Sequence, residues 1–253
     1  MTQVSGPTLL LTNDDGVDEP GLAALVRAAG PRGACRVVAP AGPQSSCGHA
    51  VTTGRPIRCE ARRPGWTAVD GTPADCVRLG LHHLAPGSEW VLAGINAGGN
   101  LGTDILHSGT VAAVREGVLH GRPGIAFSHY HARGRAFDWE RAAGWAARVL
   151  DLLLARPPAE GAFWNVNFPH PGPDAPEPEV VFCPVDPSPL PLLYAVAGDD
   201  ATYNGDYHER RRVPGADVAV CFGGNIAVSL VPVWPGGEAP AEDAPGRTGR
   251  PKS

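Results

Sequence analysis

Two adjacent carboxylates, Asp14 and Asp15, close the strand-like run Leu9-Leu10-Leu11-Thr12-Asn13 and are followed by Gly16. Their like charges repel, and a divalent cation, a shared proton or free solvent relieves the repulsion. Taken alone, Asp-Asp-Gly reads more often as a turn or a helix-leading cap than as a metal site. Two other polar stretches shift that balance. Gln44-Ser45-Ser46-Cys47-Gly48-His49 offers hydroxyls, and the stretch from Gly94 to Asp104 offers the carboxamides of Asn96 and Asn100 on a glycine framework. Carboxylate, hydroxyl and amide carbonyl oxygens are the donors that Mg²⁺, Mn²⁺ or Ca²⁺ prefer.

Beside them, Ser108-Gly109-Thr110 reads as a helix start, where unpaired backbone N–H groups and the helix dipole favour an anion. A divalent cation next to an anion pocket suits hydrolysis of a phosphate ester: the metal polarises a phosphoryl oxygen and lowers the pKa of a bound water. His49 and His107 are candidate acid catalysts or ligands, although a lone histidine is more often structural. Glu116 reads as a solvated charge on its helix.

These groups need a scaffold that gathers distant loops. Thr8 to Thr12 predicts a strand, Pro20 to Ala29 a helix ended by Gly30, and Cys35 to Ala39 a second strand, so a parallel sheet is the economical topology. Val51 to Cys59 and Trp66 to Val69 read as short strands. Thr72 caps a helix over Ala74 to Leu84, with Pro73 in its first turn. Strands are expected at Trp90 to Gly94, Ile125 to Ser128 and Phe163 to Phe168, and helices at Gly109 to His120 and Asp138 to Ala155. This alternation predicts an α/β fold, a Rossmann-like doubly wound, mostly parallel sheet whose crevice loops form the site. After Pro169 the pattern changes. Asp217 to Phe222 and Ile226 to Val233 look like strands joined by the hairpin signal Gly223-Gly224-Asn225. The expected organisation is a catalytic core over 1–170, a hairpin-containing β-rich C-terminal arm over 171–235 and a disordered tail over 236–253.

Composition narrows the function classes. The chain has 253 residues, 43% hydrophobic and 19% charged, the profile of an ordinary globular protein. A net charge of -5 with no dense basic stripe disfavours nucleic acid as a partner. No segment approaches the roughly 20 apolar residues that span a bilayer, and no secretory signal is evident, so a cytoplasmic location without membrane contact is expected. Six dispersed cysteines without a Cys-x-x-Cys pair suggest neither a zinc knuckle nor a redox motif. Five read as buried or inert, and Cys47 as the exposed one.

At this point the motifs resemble a known family. Thr12-Asn13-Asp14-Asp15-Gly16, Val38-Ala39-Pro40 with Ser45 and Gly48, Gly71-Thr72-Pro73-Ala74-Asp75-Cys76-Val77, Gly94-Ile95-Asn96-Ala97-Gly98 with Asn100 and Gly102, His107-Ser108-Gly109-Thr110-Val111, and Asn165-Val166-Asn167-Phe168-Pro169 are similar, in this order, to the SurE survival-protein family. The resemblance implies a metal-dependent 5′-nucleotidase that hydrolyses nucleoside 5′- and 3′-monophosphates, with short-chain polyphosphate as an additional substrate. It implies one divalent ion per subunit, Mg²⁺ or Mn²⁺, on Asp14, Asp15, Ser45 and Asn96, the two aspartates being the catalytic pair. Asn13, Gly48, Asn100, Ser108, Gly109 and Thr110 match the phosphate and substrate positions. It also implies a homodimer or homotetramer built through C-terminal arms. Departures fall at Ala41-Gly42-Pro43, over 182–200 and over Gly224 to Pro232, and they touch substrate preference and assembly rather than the ligand set. The rival reading is a noncatalytic nucleotide or phosphate sensor using the same pocket.

Overall fold

The computed structural model describes residues 6–172 and 175–234. The expected tail over 236–253 lies outside the described residues. Strand β1 (Thr8–Thr12), helix α1 (Pro20–Ala29) and strand β2 (Ala34–Pro40) form the first crossover unit, followed by β3 (Cys59–Arg63), β4 (Trp66–Val69) and α2 (Pro73–Leu79). Then come β5 (Trp90–Asn96), α3 (Gly109–Leu119), β6 (Gly124–His129), α4 (Trp139–Leu154) and β7 (Ala162–Phe168). The C-terminal region supplies β8 (Val180–Phe182), β9 (Tyr194–Ala197), β10 (Asp200–Tyr203), α5 (Asp217–Phe222) and β11 (Ile226–Pro232).

Nine strands form one sheet in the order β3-β4-β2-β1-β5-β6-β7-β11-β8. Strands β4, β2, β1, β5, β6 and β7 run parallel, β3 is antiparallel to β4, and β11 is antiparallel to β7. The chain winds outward from β1 toward β2 and then returns to β5 on the other side. That reversal opens a crevice at the C-terminal ends of β1 and β5, the place where doubly wound sheets bind ligands.

The apolar runs are continuous because both faces of the sheet are covered. Along β1, Leu9 and Leu11 enter the core under α1 and α4, while Leu10 enters the core under α2 and α3. The same alternation places Leu92 in the first core and Val91 and Ala93 in the second. Helix α2 begins as its sequence predicts: Thr72 and Asp75 form a reciprocal capping box, with Pro73 in the first turn. Among the described residues, no helix is long and apolar enough to cross a membrane.

Four expectations are corrected. Asp217 to Phe222 is a helix, not a strand: Asp217 puts a carboxylate in its first turn and accepts from Val218 N, and Val218 and Cys221, three apart, pack on Leu101 and Ala227. The hairpin of this region is instead β9-β10, turned at Gly198-Asp199 with Gly198 at φ 63°. Residues 51–58, read as strand, are irregular, and the first strand of that excursion starts at Cys59. Cys59 is also the exposed cysteine, whereas Cys47 is partly buried. The boundary expected after residue 170 falls between β7 and β8, and both β8 and β11 extend the main sheet.

Candidate active site

A cleft of about 340 Å³ opens at the crevice between β1 and β5, lined by Asp14, Asp15, Ser45, Asn96, Asn100 and Ser108, together with Ser46, Ala97, Asp104, His107 and Leu190. Six of the ten residues singled out from sequence therefore share one wall. Asp14 and Asp15 follow β1, Asn96 is the last residue of β5, and Ser108 is the N-cap of α3, its hydroxyl oxygen accepting from Val111 N at 3.1 Å. The second loop is tied to the first by Gln44 N, which donates to the Asp14 carbonyl at 2.7 Å.

The other four are not among the cleft-lining residues. Asn13 is fully buried and donates its side-chain N–H to Gly16 O at 2.8 Å, shaping the turn beneath the aspartates. Gly109 lets the helix start approach Asp14: a Cβ there would lie 2.9 Å from the Asp14 side chain. Thr110 donates its hydroxyl to Asp14 Oδ1. That hydroxyl is thereby committed to the Asp14 carboxylate. Gly48 takes φ 57° in the loop that carries Ser45.

Asn100 is held from both sides of its peptide. Its N–H donates to Asn167 Oδ1 at 2.8 Å, and its carbonyl accepts from Asn165 Nδ2 at 2.9 Å and Asn167 Nδ2 at 3.0 Å. Asn165 and Asn167 lie two apart on β7 and so share a face. Buried amides at that spacing require polar partners, a signal in the sequence that identifies them as clamps. On the far side, the Arg210 guanidinium pairs with Asp104 at 2.6 Å and donates to Leu101 O at 3.2 Å. Asp217 accepts from Gly102 N at 2.9 Å. The loop after β5 is thus fixed by β7 and by the C-terminal region together. Leu190 lies in a stretch that no motif marks, and Arg210 belongs to the short basic run Arg210-Arg211-Arg212, which by itself names no partner.

The electrostatics of the cleft favour a cation. Burial pushes the Asp14 carboxyl up to about 6, opposed by the Thr110 hydrogen bond and reinforced by Asp15. Burial also raises Asp15, whose Oδ2 accepts from Ala97 N at 3.2 Å. No lysine or arginine is among the cleft-lining residues. Asn96 spends its N–H on Gly98 O at 2.8 Å, which leaves its carbonyl oxygen available. The side-chain Oδ1 of Asn13 is buried without a hydrogen-bond partner. Carboxylate, hydroxyl and carboxamide oxygens around an uncompensated acidic pair fit a hard divalent ion. Among the described residues no three His, Cys, Asp or Glu side chains gather as a metal-binding group. A cation here would therefore rest on hydroxyl and amide oxygens as well.

Glu116 is not the solvated charge that its helix position suggests. Its side chain is 1% exposed, contacts His49 at 2.6 Å and His120 at 3.0 Å, and accepts from Arg78 at 2.5 Å. Those three hydrogen bonds hold its carboxyl near 2 against the opposing effect of burial.

Comparison with known proteins gives the family. The model of the family described as survival protein SurE matches residues 9–185. A Nostoc sp. relative provisionally named a 5′-nucleotidase is 51% identical over 226 residues, covering 89% of this chain and 100% of that protein. A protein named 5′-nucleotidase SurE from Myxococcus xanthus is 46% identical over 163 residues, covering 64% of this chain and 62% of that protein. The crystal structure of the SurE protein from Aquifex aeolicus superposes with a TM-score of 0.79 at 30% identity, covering 90% of this chain and 94% of that one. With the family model matched from the first strand into the C-terminal region, and a relative aligned over its whole length, this chain belongs to the SurE family.

Proposed function

We propose that the protein is a metal-dependent phosphatase that hydrolyses nucleoside 5′- and 3′-monophosphates, with short-chain polyphosphate as an additional substrate. The relatives named 5′-nucleotidase support the nucleotide substrate and the reaction class. The observation that carries the reading is the adjacent pair of buried Asp14 and half-buried Asp15, set against the N-terminus of α3 in a cleft that brings no lysine or arginine to its wall.

One divalent ion per subunit, Mg²⁺ or Mn²⁺, would be held by oxygens of Asp14, Asp15, Ser45 and Asn96. When bound, it supplies Lewis acidity toward a phosphoryl oxygen and a water of lowered pKa. The chain supplies the rest. The start of α3 at Gly109 would present its backbone N–H and the positive end of the helix dipole to the phosphate, and Asn100 is rigidly placed beside it by Asn165 and Asn167. Thr110 acts through Asp14, holding one carboxylate oxygen so that the other stays oriented toward the cleft. Asp14 and Asp15 are the groups able to take a proton from the attacking water, Asp14 through the oxygen that Thr110 leaves free.

We assign the exposed β9-β10 hairpin to contact with a second copy, giving a homodimer or homotetramer. Every residue of both strands is exposed, Leu192 is 83% exposed and Val196 72%, and an isolated two-stranded hairpin has little stability of its own.

Phosphate release from 5′-AMP, 3′-AMP and short-chain polyphosphate, with Mn²⁺ or Mg²⁺ and then with chelator, tests the reading. Metal-dependent release abolished by chelation supports it. Tight nucleotide binding without turnover across a panel of divalent metals would replace it with the sensor.

A further inference from the structure

The stretch from Ala41 to Arg58 brings Ser45 to the cleft with no helix or strand of its own. An ordered loop of that length depends on fasteners, and the structure shows them. Near its start, Gln44 N donates to Asp14 O. Farther on, the Ala50 carbonyl accepts the Thr72 hydroxyl at 2.7 Å, and Thr52 donates its N–H and its hydroxyl to Asp75 at 2.9 and 2.7 Å. Between these points the backbone passes through the left-handed region at Ser46, φ 60°, and at Gly48, φ 57°. At Ser46, which has a Cβ, that conformation is held against local preference.

His49 is the side chain that fastens this middle stretch. Its Nε2 lies 2.6 Å from Oε2 of the buried Glu116 on α3. The two oxygens of that carboxylate are divided between duties. Oε1 meets Arg78 of α2 at 2.5 Å and His120 at the end of α3 at 3.0 Å, while Oε2 is given to the loop. Removing one partner of a buried charge contact leaves the other uncompensated, so each holds the other in place.

We propose that Glu116, acting through His49, is a positioning residue of the site: it anchors the middle of the loop so that Ser45 stands beside Asp14 and Asp15. The purpose of that placement rests on the phosphatase reading, whereas the anchoring itself does not. His49→Ala and His120→Ala each remove one imidazole from Glu116 and leave two other partners, but only His49 belongs to the loop. Amide hydrogen exchange over residues 44–52 is expected to rise several-fold in His49→Ala and to stay at the wild-type level in His120→Ala. Mn²⁺ affinity measured calorimetrically is expected to fall about 10-fold in the first variant alone. His49→Gln, which keeps a side-chain N–H donor, is expected to recover part of both. Unchanged loop exchange in His49→Ala, or an equal rise in both alanine variants, overturns the anchor. Faster exchange with unchanged Mn²⁺ affinity overturns its link to the site. A wild-type protein that binds Mn²⁺ and nucleotide yet releases no phosphate would overturn the functional reading instead, and the exchange comparison would still decide the anchor.

Discussion

Arg210 and Asp104 lie 106 residues apart in sequence and form an ion pair 2.6 Å long, with side chains 2% and 13% exposed. The aspartate lines the cleft, and the arginine also donates to the Leu101 carbonyl. The segment after β7 is therefore part of the wall that shapes the loop carrying Asn96 and Asn100. Tyr207 adds a hydroxyl donated to the same Asp104 oxygen at 3.0 Å, and burial beside that carboxylate raises the phenol well above its ordinary range. The cluster is a neutralised unit, so it holds the loop without adding net charge to the cleft.

Breaking this unit has a directional consequence. Arg210→Ala leaves Asp104 with two neutral donors, the Tyr207 hydroxyl and the Leu101 N–H, in a largely desolvated position and is expected to cost about 3 kcal/mol of stability. Urea unfolding of the variant and the wild type measures it. KM for nucleotide should rise with it, because the loop after β5 loses its outer fastening. Arg210→Lys restores the charge but not the two-point geometry, so it should fall between the two. A midpoint unchanged in Arg210→Ala would show that the pair contributes nothing to the fold.

Asp14 sets function against stability. Its carboxyl is raised from 3.8 to about 6, chiefly by burial, so the folded state holds a proton that the unfolded state has released. Without metal, stability then falls as pH rises from about 4 to about 6, and the penalty is complete above that window, at about 3 kcal/mol. Asp14→Asn removes the penalty. The expected result is a metal-free variant more stable than wild type at pH 7 and less active by on the order of 10²-fold or more. Thermal unfolding in chelator, together with phosphate release in Mn²⁺, gives both readings. Lower stability in the asparagine variant would contradict the charge argument.

Glu116 gives the opposite sign in a different window. Its hydrogen bonds lower its carboxyl from 4.5 to about 2, so its contribution is fully present above pH 4.5 and is lost as pH falls toward 2. The wild type should lose about 2–3 kcal/mol across that range from this group. Glu116→Gln should start lower at pH 7 and show a correspondingly flatter acid limb. Denaturant titrations at pH 2, 3, 4.5 and 7 in both proteins test it, and parallel acid limbs would sink the assignment.

The core was legible because runs such as Leu9-Leu10-Leu11 are apolar on both faces, which only a covered parallel sheet requires. Much of the cleft was legible for a chemical reason: Asp14, Asp15, Ser45, Asn96, Asn100 and Ser108 are polar groups at strand ends and a helix start. Other features were not. Six residues from Asp217 to Phe222 are too few to separate a period of two from one of three, and packing on Leu101 and Ala227 decided for the helix. Glu116 was read as solvated because helix charges usually are. Its burial depends on His49 and Arg78, which are 67 and 38 residues away and share no motif with it. Leu190 carries no periodic or donor signal, and the run Arg210-Arg211-Arg212 shows donors without a partner, so only the folded chain brings them to the loop.

The β9-β10 hairpin carries the prediction on assembly. Tyr194 and Tyr203 pack edge to face at 5.5 Å across the two strands, and the Tyr203 hydroxyl donates to Pro191 O at 2.9 Å, so the hairpin is internally tied. Nothing in the hairpin's own strands is buried, and Leu192, Leu193, Tyr194 and Val196 form an exposed apolar edge. Such an edge favours burial against another surface. If a second copy covers it, Leu192→Asp combined with Val196→Asp should lower the molar mass found by light scattering to that of a smaller assembly. The far-ultraviolet circular dichroism should be retained, because neither residue contributes to the two cores under the helices. An unchanged mass in the double variant would move the interface elsewhere, and a monomeric wild type would remove the need for one.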